Sequence, residues 1–174
     1  MDYAGVDRVF DVVETIRGIP GYREACAIGK GKDLGNEQVT GSSIDCPTEA
    51  VTGFWEGHER SVFEEAVSTE QDVRVQVSQL KYANGEPVNR LLILGQPEHP
   101  LPPAPSISNS TTAADGLLME SAAAFMAIVT LPPDEDAVRD FETKVQTTLF
   151  DMRERWYAEV GNIYQMEIQP QRSF

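Results

Sequence analysis

Histidine and cysteine set the chemical options of this chain, which has two of each. His58 sits in Glu56-Gly57-His58-Glu59-Arg60 at the start of a short helical segment, where an imidazole could serve as acid, base or metal ligand near neutral pH. A helical zinc-hydrolase site would need a second histidine one turn on, and position 62 is Val. His99 lies among prolines and suits a loop or a contact to a partner. Cys26 and Cys46 are twenty positions apart with no Cys-x-x-Cys spacing, which disfavours a zinc or redox motif and predicts free, buried thiols. Cys46, in Ser43-Ile44-Asp45-Cys46-Pro47, becomes a nucleophile only if His58 folds beside it. No serine stands in a Gly-x-Ser-x-Gly elbow.

The glycines of Gly29-Lys30-Gly31-Lys32-Asp33-Leu34-Gly35 resemble a phosphate loop but lack its Gly-Lys-Ser/Thr ending. Lys30 and Lys32 are half of the four lysines, a positive spot on an acidic chain that fits docking to an acidic neighbour such as another copy of itself. Phe54 with Trp55, and Trp156 with Tyr157, are large surfaces of the kind that anchor cores or interfaces. The interface candidates are therefore Lys30, Lys32, Trp55 and the proline-rich residues His99, Pro100, Leu101, Pro102 and Pro103. No catalytic residue, cofactor or metal ligand is expected. The carboxylates of Glu64-Glu65 and Asp134-Glu135-Asp136 read as solvated helix positions.

Asp and Glu total 28 against 14 Lys and Arg, a net charge of -14 that repels phosphate backbones and anionic lipids. Nucleic acid and membrane are accordingly not expected partners, and salt should stabilise the chain by screening its self-repulsion. Met1-Asp2-Tyr3-Ala4 lacks the basic start of a secretory signal. The apolar run 122–129 is far shorter than the roughly 20 residues that span a bilayer. A cytoplasmic or virion location, in reducing surroundings, is the expectation.

The elements that must position these residues follow from hydropathic period. Val6, Val9, Phe10, Val13 and Ile16 predict a helix over 4–17, closed by Gly18 and Pro20. A Gly-rich loop region covers 29–53, with weak extended signals at 25–28 and 39–44. A short helix is expected over 57–67. Val73, Val75 and Val77 then alternate with polar residues, predicting a strand over 73–80, an Asn84-Gly85 turn and a returning strand over 88–94. Five prolines in 97–105 run into a Ser/Thr stretch, an arm or loop over 96–112. A central strand is expected over 124–131 and a closing strand over 163–168. Between them the stripe Phe141, Val145, Leu149, Met152 and Trp156 predicts a long amphipathic helix over 134–159, with Glu135/Arg139, Asp140/Lys144 and Asp151/Arg155 at ion-pair spacing. The whole reads as one α+β domain over 1–174, a mainly antiparallel sheet with the N-terminal and long C-terminal helices packed on one side.

The segment Ala122-Ala123-Ala124-Phe125-Met126-Ala127-Ile128-Val129-Thr130-Leu131-Pro132-Pro133, followed by the helix through Trp156, resembles the strand, proline-marked break and helix of the tail-terminator and minor-tail subunits of tailed viruses. That resemblance implies a non-catalytic structural subunit that forms rings on a tube, with other copies of itself and neighbouring assembly proteins as partners. The same stretch is also similar to one half of the dimeric α+β-barrel family, which implies the alternative of a small-ligand enzyme or binding module.

Overall fold

The computed structural model describes residues 2–28, 46–89, 93–95, 124–131, 136–159 and 166–168. Within them the fold is α+β, and helix dominates. In chain order the elements are α1 (Tyr3–Gly18), α2 (Tyr22–Ile28), β1 (Thr48–Ala50), 3-10 turns at Val51–Phe54 and Glu56–His58, α3 (Arg60–Ala66), α4 (Glu70–Val77), β2 (Leu94–Gly95), β3 (Ala124–Phe125), β4 (Ala127–Val129) and α5 (Asp136–Ala158).

α1 forms where the three- and four-residue spacing requires it, and Val6, Val9, Phe10, Val13 and Ile16 are all buried. The Asp2 carboxylate caps it by accepting the Gly5 N–H at 2.7 Å. α5 likewise buries Phe141, Leu149, Met152 and Trp156 and half-buries Val145. The expected ion pairs Asp140/Lys144 and Asp151/Arg155 do not close; on this helix Arg153 pairs with Glu154 instead, at 3.0 Å.

Residues 73–80 do not form a strand. Val73 and Val77 are fully buried while Val75 is 47% exposed, the signature of i,i+4 geometry, since a strand would set all three valines on one face. A capping box decides the outcome: Thr69 Oγ1 accepts the Asp72 N–H at 3.3 Å, and Asp72 Oδ2 accepts the Thr69 N–H at 2.8 Å. The returning strand is also shorter than expected, with Val88 and Asn89 irregular, β2 starting at Leu94, and 90–92 outside the described residues. A turn does form at Asn84-Gly85, but not with both residues in the left-handed region as a tight hairpin there requires: only Gly85 adopts it. Tyr82 N–H donates to the Glu86 carbonyl and Gly85 N–H to the Tyr82 carbonyl, both at 2.9 Å, with Gly85 at φ 85°. This is a type I turn closed by a left-handed glycine, followed by a single Lys81–Pro87 bridge.

Residues 25–28 are helical, not extended, because α2 turns Tyr22, Ala25 and Cys26 to one buried face at i, i+3 and i+4. The helix expected over 57–67 starts later, at Arg60, after a kink with Gly57 at φ 66°. In place of one four-stranded sheet, the described residues hold two pairs, β1 with β4 and β2 with β3. The second is antiparallel, with Leu94 opposite Phe125 and Gly95 opposite Ala124. Residues 166–168 lack regular structure; 29–45, 96–112, 132–135 and 163–165 lie outside the described residues.

The chain divides into two compact units, Met1–Asp11 with Glu49–Ile128, and Val12–Thr48 with Val129–Phe174. The first is built on aromatic rings: Phe63 lies 4.6 Å from Tyr3, 5.2 Å from Phe10 and 4.8 Å from Trp55 between ring centroids. Arg60 ties α3 to α1, donating to Asp7 and, at 2.7 Å, to Asp11, with its guanidinium 5.7 Å above the Phe10 ring. Gly5 admits the Phe125 ring, which a Cβ there would meet at 2.8 Å.

The second unit is stapled. Cys26 and Cys46 form a disulfide, which corrects the expectation of free thiols. Both are buried, and sequence spacing alone could not show that α2 turns Cys26 toward the returning chain, Cα to Cα 4.8 Å. Tyr22 joins the staple to α5: its hydroxyl accepts the Cys46 N–H at 3.2 Å and its ring lies 6.0 Å from Phe141.

Candidate functional site

Two groups of side chains in the described structure invite a functional reading, one in each unit. In the first unit, His58 holds a left-handed backbone at φ 56°, rare for a residue with a Cβ. Its Nδ1 lies 2.8 Å from Oγ1 of Thr52, which is wholly buried. Tyr82 stacks over Gly53 so closely that a Cβ there would meet the ring at 2.9 Å and the His58 ring at 3.2 Å. The Tyr82 hydroxyl is buried without a hydrogen-bond partner among the described residues. Burial, reinforced by the charges of Glu49 and Glu86, pushes its pKa up to about 12.

A Thr hydroxyl with no exposed surface cannot be reached by a substrate, so Thr52 serves to fix the imidazole. The other nucleophile considered, Cys46, has no thiol because it is bonded to Cys26. Among the described residues no group of three or more His, Cys, Asp or Glu side chains converges as a metal site. Glu64, Glu65 and Asp136 are exposed, as solvated helix positions should be.

In the second unit the outer face of α5 carries a different arrangement. Phe150 is 41% and Tyr157 52% exposed, two turns apart on one line of the helix. Arg153 sits between them with its guanidinium 4.6 Å from the Phe150 ring centre and 5.9 Å from that of Tyr157. Glu154 flanks the same line and accepts from Arg153 at 3.0 Å. The Tyr157 hydroxyl donates to the Met166 carbonyl at 3.4 Å, which holds the ring at its outer end. Thr143 and Thr147 continue the line toward the N-terminus with their hydroxyls donating to helix carbonyls one turn back. Two exposed aromatic rings thus bracket an arginine on this face.

Of the interface candidates read from sequence, Trp55 is not available: it is 2% exposed and belongs to the aromatic core, with its indole N–H unpaired among the described residues. Lys30, Lys32, His99, Pro100, Leu101, Pro102 and Pro103 lie outside the described residues. The Trp156-Tyr157 pair is split, with Trp156 in the core and Tyr157 on the surface. Phe150 and Arg153 went unread in the sequence, although an aromatic at i, an arginine at i+3 and a tyrosine at i+7, each one position past a core residue, is a legible signal.

No helix among the described residues is long and apolar enough to cross a membrane. No protein-family model, curated protein or solved structure matches the chain.

Proposed function

We propose that this chain is a non-catalytic structural subunit of a homo-oligomeric assembly, most specifically a tail or neck protein of a tailed virion, of the tail-terminator kind. Its partners on this reading are other copies of itself and neighbouring assembly proteins. The observation that carries it is the α5 ridge, where exposed Phe150 and Tyr157 bracket the Arg153–Glu154 pair and leave aromatic surface open to solvent. The buried Cys26–Cys46 disulfide supports it independently, because such bonds persist on virions and outside cells and are reduced in cytosol. It favours the virion over the cytoplasm within the expected locations.

Light scattering coupled to size-exclusion chromatography, over a range of protein and salt concentrations, tests the reading. A defined oligomer is expected, tightening as salt screens the shared negative charge. Negative-stain images of that fraction should show closed rings. A monomer under every condition overturns the proposal.

A further inference from the structure

We infer that Asn84 is a latent deamidation site: its side chain converts to aspartate and isoaspartate when the turn around it opens, and the closed turn protects it. Asn84-Gly85 is the one Asn-Gly step in the sequence. Glycine suits the reaction because no side chain shields its amide nitrogen from the preceding carboxamide. Gly85 N gives its proton to solvent base and attacks Asn84 Cγ; the Cγ–Nδ2 bond breaks, Nδ2 takes up a proton and leaves as ammonia, and a cyclic succinimide remains. Water then opens that ring. Cleavage at the Cγ–N bond gives aspartate, cleavage at the main-chain carbonyl gives isoaspartate, and neither changes an oxidation state. Water and base reach the site freely, since residues 83–86 are all exposed and nothing lies within 4 Å of the place where a Cβ on Gly85 would stand.

Access alone would make this step fast; the hydrogen bonds of the turn oppose it. Gly85 N–H, which must lose its proton before attack, donates to the Tyr82 carbonyl at 2.9 Å. The Asn84 carboxamide is held at both ends by the residue beyond Gly85: Oδ1 accepts the Glu86 N–H at 3.0 Å, and Nδ2 donates to Glu86 Oε2 at 3.1 Å. The attacking atom and the leaving group are therefore both engaged, and Cγ meets Gly85 N only after these bonds part. Conversion would also mark the turn. Aspartate replaces the Nδ2 donor with a carboxylate oxygen facing Glu86, so a hydrogen bond becomes a repulsion. Isoaspartate adds a carbon to the main chain, which pulls the Tyr82–Glu86 hydrogen bond and the Lys81–Pro87 bridge out of register. Each opening that reacts thus makes the turn easier to open.

Mass-spectrometric peptide mapping of the full chain, aged in mildly alkaline buffer with and without guanidinium chloride, reads the rate at Asn84 in each state. The native rate should be at least about tenfold below the unfolded one, the ratio reporting how seldom the turn opens. Glu86→Ala removes the acceptor of Nδ2 and should lower that ratio several-fold, whereas Glu86→Gln keeps an acceptor and should leave it near the parent value. Taking the ratio within each variant cancels the effect of the lost charge on the chemistry itself. Circular dichroism of both variants should match the parent, since position 86 is exposed. An Asn84 that converts as fast in the native chain as in denaturant overturns the inference, and so does one that stays intact in denaturant. A Glu86→Ala ratio equal to the parent's overturns the part assigned to Glu86.

Discussion

The two units hold together by different means. In the first, three aromatic rings converge on Phe63, and an arginine spans two carboxylates of α1, with no covalent cross-link. In the second, one long helix supplies most of the large apolar side chains, and a disulfide ties α2 to the start of β1. The first unit can open only by separating rings; the second keeps a permanent link even when α5 lets go. Their sensitivities should therefore differ in kind, to substitution in one case and to reductant in the other.

The largest effects should come from the two cores. Phe63→Ala and Trp156→Ala should each cost about 3–5 kcal/mol or unfold the unit concerned. Amide exchange should show protection lost first in α3 and the front of α1 for the former, and in α5 for the latter. A Trp156→Ala loss under about 1 kcal/mol would remove the stripe from the core. Next in size is the staple. Replacing both cysteines with serine should cost about 3 kcal/mol through the freed loop. Dithiothreitol should lower the denaturant midpoint of the second unit and leave that of the first unchanged. An equal shift in both would erase the contrast.

Smaller effects sharpen the picture within the first unit. Thr69→Ala removes the α4 cap and should cost about 1 kcal/mol by urea unfolding. Asp72 should respond as well: hydrogen bonds from the Thr69 hydroxyl and from the Ser68 and Thr69 amides hold its pKa below the usual carboxylate value. That stabilisation is present above the unfolded pKa and fades as pH falls through the folded one. Tyr82→Phe should change stability least at neutral pH, because it removes a buried hydroxyl that has no partner among the described residues. Its effect appears in alkali. The folded state keeps the Tyr82 proton longer than the unfolded chain, so the parent loses stability as pH rises from about 10 toward the folded value of about 12. The phenylalanine variant should lose less between pH 9 and pH 11, measured by urea midpoint.

Long elements were legible and short ones were not. α1 and α5 declare themselves because apolar residues recur over several turns, and Trp156 is buried as that recurrence demands. The Asn84-Gly85 turn is legible because its chemistry is local. α4 is misread because three valines at alternate positions satisfy a strand and a short helix equally; the deciding signal was the Thr69–Asp72 cap just before them. The disulfide was invisible because it depends on where α2 aims Cys26, which no spacing rule contains. At the ridge, Tyr157 was singled out with Trp156 but not separated from it. The separation needs the helix phase, which puts neighbours in sequence about 100° apart in space.

Arg153 touches both rings of the ridge before any other molecule arrives. A surface arginine ordinarily samples many rotamers, and a partner must freeze them on contact. Here contacts with both rings and with Glu154 already restrict those rotamers, so little of that freedom is left to lose.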